Sequence, residues 1–187
     1  YYFHNDVESF SADLNSRSGQ KASNQLLFTY TQQDDRRGTP SSNFPFIDIM
    51  YNGAYEPYIS AGYELFTYNN GVQTKTTNVT DNFTLYAGAH KLTAGARFEH
   101  IYADNSYMRN GTGYYRFRSV DDFLNGEAPE QVAFAYGFDG NPNPTSAVRY
   151  NQIGLYLQDE WQENLELKLT YGLRADNIIF DEQDIDD

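Results

Sequence analysis

From Leu165 the chain alternates: Leu165, Leu167, Leu169, Tyr171 and Leu173 are apolar, with Glu166, Lys168, Thr170, Gly172 and Arg174 between them. Successive side chains of a strand point to opposite faces, so a period of two predicts a strand with one apolar and one polar face. Upstream, Ile153, Leu155 and Leu157 lead to Trp161, and a turn near Gln162-Glu163-Asn164 joins the two runs into a hairpin. The pattern occurs twice more. Phe83, Leu85 and Ala87 alternate with Asn82, Thr84 and Tyr86; Gly88-Ala89-His90-Lys91 makes the turn; Leu92, Ala94, Ala96 and Phe98 alternate with Thr93, Gly95, Arg97 and Glu99. Nearer the start, Phe10, Ala12 and Leu14 form one strand, Ser16 to Lys21 a polar turn, and Ala22, Asn24, Leu26, Phe28 and Tyr30 the next, with Leu27 out of phase.

Hairpins are therefore expected at about 8–31, 74–102 and 149–180, joined by connections at about 32–72 and 103–148. The connections hold turn-forming residues: Asp34-Asp35-Arg36-Arg37-Gly38, Asn69-Asn70-Gly71, Asn110-Gly111 and Asp139-Gly140-Asn141-Pro142-Asn143-Pro144. Within the second, Ser119 to Gly126 predicts a short helix, with Ser119 as its cap, Asp122 three residues on and Gly126 at its end. If strands alternate in direction, all tight turns fall at one end and both long connections at the other. Loops of that length are uncommon in compact domains. An outer-membrane barrel segregates its connections in this way, with short periplasmic turns and long extracellular loops.

Alternation does not say what covers the apolar face. The 187 residues suffice for one domain, and a soluble β-sandwich would bury the leucine row in a core. A barrel would present it to lipid. Strands of ten residues or so, polar faces carrying Lys168, Arg174, Arg97, Glu99, Gln158 and Glu160, and aromatics at strand ends (Trp161, Tyr102, Tyr150, Phe180) favour the barrel. In that case Phe83, Leu85, Leu92, Phe98, Ile153, Leu155, Leu157, Leu167, Leu169 and Tyr171 face the membrane. Asp159 shares their parity and counts against the assignment, though it lies two residues from Trp161, near the turn.

Composition narrows the classes. Aromatics are 17% of the chain, with 17 Tyr and 13 Phe, alongside a mean hydropathy of −0.70. Disordered chains lack such aromatics and periodic strands. A formal charge of −13 argues against a phosphate-backbone partner, since nucleic-acid binders carry a basic face. There is no cysteine, hence no disulfide or thiolate chemistry. No apolar run approaches the roughly 20 residues of a spanning helix. The opening YYFHNDVESF does not read as a signal peptide, so the leader of an exported protein would be removed or lie outside these residues.

No catalytic grouping emerges. His4, His90 and His100 have no metal-ligand spacing, and no G-x-S-x-G pattern occurs. Asp139 to Asn143 begins like a calcium loop but lacks the later Gly and Glu, so a turn is expected and no metal. The run Asp181 to Asp187 reads as a solvated loop start. The strongest binding candidates are loop aromatics: Tyr107, Tyr114, Tyr115, Phe117 and Tyr136, with Phe134 and Phe138 beside them. Rings can stack on sugars or peptide side chains, or they can pack the loops against one another.

LYLQDEW, a short turn and LELKLTYGLRAD resemble a strand pair of TonB-dependent outer-membrane receptors. Phe44 to Ile49, Asp81 to Tyr86, His90 to Thr93 leading to Arg97-Phe98-Glu99, and Ser119 to Leu124 together resemble the Oar-like subgroup, in which a carboxypeptidase-regulatory-like domain precedes plug and barrel. The resemblance covers most of residues 44 to 180. It implies an all-β fold, an antiparallel segment of a large transmembrane β-barrel of about 22 strands with long extracellular loops. It further implies a bacterial outer-membrane location and ligand uptake through a plugged lumen. The partners it implies are the rest of the barrel and its plug, the lipid bilayer, the energy-coupling TonB protein, and a peptide, glycan or metal chelate as ligand. No bound cofactor is implied, and no enzymatic activity. Six strands supply only part of such a wall.

Overall fold

The computed structural model describes residues 1–181. The acidic run read as a loop start lies outside them from Glu182 onward. The long strands are β1 (Tyr2–Ser18), β2 (Ala22–Gly38), β5 (Gly71–Ala87), β6 (His90–Ser106), β9 (Thr145–Gln162) and β10 (Lys168–Phe180). The short elements are β3 (Phe46–Met50), β4 (Pro57–Ala61), β7 (Tyr114–Phe117), helix α1 (Val120–Leu124) and β8 (Gln131–Ala133). The fold is all-β and antiparallel in its main sheet, as the alternation requires. That sheet runs β1-β2-β5-β6-β9-β10, so each long strand lies beside the next long strand in the chain.

The long strands outrun their apolar stretches. β2 continues through Asp34-Asp35-Arg36-Arg37, and β5 begins at Gly71, before any apolar alternation. Ladder bonds use backbone groups alone, so alternation marks only the part of a strand with an apolar face. At the other end the turn after β9 is longer than expected. Asn164 Oδ1 accepts from the backbone N–H groups of Glu166 and Leu167, each at 2.9 Å. Those donors are lost to the ladder, so Leu165 and Leu167 lie in the turn and β10 starts at Lys168. Leu167, expected on the strand, is thus a turn residue. The hairpin between β5 and β6 needs only Gly88-Ala89, with Gly88 at φ 63°.

Two compact units emerge. The strand unit comprises Val7–Gln33, Thr74–Ala103 and the chain from Ala147 onward; the loop unit comprises Tyr1–Asp6, Asp34–Gln73 and Asp104–Ser146. The connections read as long loops contain a second sheet, in the order β4-β3-β7-β8. β3 pairs in parallel with β7, which lies in the other connection, and β4 and β8 flank them antiparallel. Ile49, Met50 and Met108 are the buried apolar residues of the loop unit. Helix α1 forms where Ser119 and Gly126 predicted it. Ser119 Oγ accepts from Asp122 N–H at 3.0 Å, and Gly126 closes the C-terminal end at φ 71°.

Candidate functional site

In the strand unit the two faces of the sheet differ in kind. Ile153, Leu155 and Leu157 of β9 are bare, Leu155 at 59% and Leu157 at 57% exposure, and Leu173 of β10 stands opposite Leu157. Phe83, Leu85, Phe98, Leu169 and Tyr171 are exposed as well, and Leu92 is half-buried. Among the described residues of the strand unit no layer covers this face, as a sandwich would require. Burying such a surface is strongly favourable, and apolar patches this large mark a protein or membrane contact.

The opposite face is polar and bonded across strands. Lys91 Nζ and Lys168 Nζ both reach the Glu160 carboxylate, the former at 2.6 Å. Arg97 and Asn78 both donate to Glu99. Arg174 makes a forked pair with Asp176 at 2.7 Å. The hydroxyl end of the Tyr156 ring lies against Gly95, where a Cβ would overlap it, and the hydroxyl donates to Asn82. Aligned charge pairs like these suit a wet surface, not a hydrocarbon one.

Asp159, the acid in the leucine row, is 7% exposed. Tyr171, its cross-strand partner, donates to Oδ2 at 2.8 Å, and His90 Nδ1 donates to the same oxygen at 2.7 Å. The His90 ring stacks on Trp161, with centroids 6.0 Å apart and planes 4° off parallel. An acid, an imidazole, a phenol and an indole thus cluster beside the turns, where Gln162 N–H also bonds Ala89 O at 2.9 Å.

The loop unit divides the candidate aromatics. Tyr114 stacks on Phe46, Tyr115 meets Phe134 edge-on and Phe117 meets Phe123 edge-on, so these three order the small sheet. Tyr107 and Tyr136 are exposed, Tyr136 at 87%, and a second exposed pair, Tyr51 and Tyr58, has centroids 5.5 Å apart. Register also aligns a polar row that sequence reading missed: Ser60 of β4, Asp48 of β3, Arg116 of β7 and Gln131 of β8. Asp48 accepts from Ser60 Oγ at 2.5 Å and from Tyr114 Oη at 2.9 Å. Burial first and the bond to Asp48 second push the Tyr114 phenol up to about 12. No periodicity could have aligned this row, since Asp48 and Arg116 are far apart in the chain; only the β-branched and apolar run Phe46-Ile47-Asp48-Ile49 hinted at a strand.

Two cavities open in the loop unit. The larger, about 550 Å³, is lined by Asp34, Arg36, Arg37, Tyr63, Tyr68 and Asn69 among others. Its charges are matched internally: Arg36 with Asp34 at 2.5 Å and Arg37 with Glu64 at 3.2 Å. The smaller, about 350 Å³, is lined by Asp48, Leu65, Arg109, Asn110, Tyr114, Gln131 and Ala133. Asp139 and Gly140 form a tight turn at φ 51° and 73°. Among the described residues no group of three or more His, Asp or Glu is placed to hold a metal, and no helix is long and apolar enough to cross a membrane, which leaves strand crossing open.

Residues 4–180 match the family model for the outer membrane beta barrel domain. The chain belongs to that family. Its location is accordingly the bacterial outer membrane, in the context of a barrel and a lipid bilayer. Among solved structures, the outer membrane transporter YddB from Escherichia coli matches with a TM-score of 0.53 at 13% identity, over 93% of this chain and 21% of that one. That likeness shows a shared fold, with the chain spanning about a fifth of the transporter's length. No curated protein matches the chain.

Proposed function

We propose that this chain is a wall segment of a TonB-dependent outer-membrane transporter, of the Oar-like subgroup its motifs resemble. The observation that carries the reading is the contrast between faces: bare Ile153, Leu155 and Leu157 on one side, bonded charges on the other. Phe83, Leu85, Leu92, Phe98, Ile153, Leu155, Leu157, Leu169 and Tyr171 face hydrocarbon. Glu160, Glu99, Arg97 and Tyr156 face a lumen filled by a plug. β1 and β10 end the sheet, and their exposed edges suit pairing with further strands of the barrel. Strands of 17 or 18 residues span roughly 55 Å, far more than a tilted crossing of about 10 residues uses. The surplus extends beyond the bilayer, and the ordered loop unit makes the first contact with ligand. Uptake draws its energy from the inner membrane through TonB, with no bound cofactor.

Two measurements test the reading on the full-length protein in outer membranes. Nitroxides at Leu155 and Leu157 should be relaxed by oxygen, and those at Tyr156 and Gln158 by a water-soluble nickel chelate; the reverse pattern rejects the wall assignment. Cells lacking the protein should fail on a peptide or glycan nutrient on which cells lacking TonB also fail. Normal growth on every nutrient for which TonB is needed rejects the transporter reading.

A further inference from the structure

Basic residues divide unequally between the two faces of the strand unit. β5, β6, β9 and β10 carry six of them, Lys75, Lys91, Arg97, Arg149, Lys168 and Arg174. Lys91, Arg97, Lys168 and Arg174 lie on the polar face, and each is paired with the carboxylate of Glu160, Glu99 or Asp176. Lys75 and Arg149 have the other parity, that of Phe83 and Leu85 on β5 and of Ile153, Leu155 and Leu157 on β9. Neither makes an ion pair among the described residues. Asp181 N–H bonds Arg149 O at 3.1 Å, but the Asp181 carboxylate accepts from Asn151 Nδ2, 3.4 Å away.

Cross-strand contacts put these two cations at one level. Thr84 meets Thr93 at 3.3 Å and Asn78 donates to Glu99 at 2.8 Å, a register that sets Lys75 opposite Tyr102. Gln162 N–H bonds Ala89 O, His90 stacks on Trp161 and His100 bonds Asn151 at 2.9 Å, a register that sets Tyr102 opposite Arg149. The Arg149 guanidinium accordingly lies over the Tyr102 ring, 4.9 Å from its centroid. Below this level the apolar row ends at Phe98 and Ile153. Tyr102 stands twelve residues after His90 on β6, roughly 29 Å along the membrane normal at a tilt of about 45°. An apolar band about 25 Å tall thus fits between the stack of His90 on Trp161 and the row of Lys75, Tyr102 and Arg149.

We infer that Lys75 and Arg149 bind the phosphate headgroup of a lipid in the leaflet at the loop end of the wall. Two cations without carboxylate partners, in a chain of charge −13, stand where hydrocarbon gives way to headgroups, and they complement an anion that the membrane supplies. Arginine offers a planar fork of donors to two phosphate oxygens, and lysine adds a point charge. Neighbouring strands lie about 4.8 Å apart, so the Lys75 and Arg149 backbones are about 10 Å apart, within reach of two long side chains closing on one phosphate over Tyr102. A lipid phosphate fits better than a free one, because acyl chains of the same molecule meet Phe98, Ile153 and Leu155 directly below. The inference rests on the wall reading, which sets that face in hydrocarbon.

The test is a titration of the full-length protein in detergent with lipid A, a glycolipid bearing two phosphates, read by native mass spectrometry. Lys75→Gln and Arg149→Gln should each weaken binding about fivefold, and together roughly thirtyfold. Enzymatic removal of the lipid's phosphates should bring the parent to the level of the double variant. Arg17→Gln combined with Lys21→Gln removes the same charge beside the first tight turn and should leave the affinity unchanged. Retained heat-modifiable migration on gels checks that each variant is folded. Undiminished affinity in the folded double variant, an equal loss in the turn control, or no effect of dephosphorylation overturns the inference. Displacement of the lipid by inorganic phosphate alone marks a free-anion site and overturns it too. The nitroxide pattern reports separately on the wall: an intact pattern with no effect of the double variant keeps the wall and loses this site, and a reversed pattern loses both.

Discussion

Leu157→Arg separates a lipid-facing row from a merely exposed one. Leu157 lies five residues before Gln162, the last residue of β9. At about 3.4 Å per residue and a tilt of about 45°, it stands roughly 5 Å inside Asp159, where the row ends, in the turn-side half of an apolar band about 25 Å tall. Arginine there should cost about 1–2 kcal/mol, between the interface and midplane values. In water the same change at a position 57% exposed should stay within about 0.5 kcal/mol. Gln158→Arg, one residue on and on the bonded face, serves as the control and should stay near neutral. The assay is reversible unfolding by guanidinium of the full-length protein in phospholipid vesicles, read by the shift in midpoint at constant slope. A loss of about 1.4 kcal/mol shifts the folded-to-unfolded ratio about tenfold. Equal stability of Leu157→Arg and the parent refutes the reasoning, and so does an equal loss in Gln158→Arg.

Three further outcomes follow from the packing. Gly95→Ala should cost about 1–3 kcal/mol in the same assay by driving the Tyr156 ring off its seat and away from Asn82, and the cost should vanish in a Tyr156→Ala background; a cost unchanged there refutes the contact. Gly62→Ala should open the loop unit to protease without altering heat-modifiable migration, because Gly62 sits at φ +106° and a Cβ would overlap the Pro45 carbonyl oxygen, which is backbone and cannot turn aside; unchanged cleavage counts against it. Tyr114 favours its neutral phenol in the fold, so its contribution is whole below pH 10 and is lost as pH rises through about 12. The parent-minus-Tyr114→Phe absorbance difference should show one phenol titrating near 12, and titration near 10 removes the buried bond to Asp48.

Alternation sufficed for the three hairpins, because each pairs neighbours in the chain and one face of each is apolar. It located Ile153, Leu155 and Leu157 on one face and Gln158 and Glu160 on the other, as the structure has them. It misplaced Leu165 and Leu167, since Asn164 takes the N–H groups of Glu166 and Leu167 into a turn whatever the hydropathy of the leucines. It missed the loop sheet because β3 and β7 are four or five residues long, pair in parallel, and come from different connections. Short strands carry too few positions for a period to register. The candidate aromatics were visible as a cluster, but composition does not say that Tyr114, Tyr115 and Phe117 pack while Tyr107 and Tyr136 stand free. The polar row under the small cavity was illegible for the same reason: Ser60, Asp48, Arg116 and Gln131 align only once four strands are in register.

Asp159 shows how a departure from pattern can be informative. In one dimension it is an acid among leucines and argues against lipid. In the sheet its carboxylate meets Tyr171 across the strand pair and His90 from the head of β6, and the imidazole stacks on Trp161. Tyr171, His90 and Trp161 each have an apolar body and a polar tip, the type that settles at a bilayer interface. The cluster sits beside the tight turns, where the wall must leave hydrocarbon for water. A leucine at 159 would extend the apolar row into that boundary and leave His90 and Tyr171 without their acceptor. The acid is therefore consistent with the row ending where it does, and the alternation rule fails at the one place where the surroundings of the strand change.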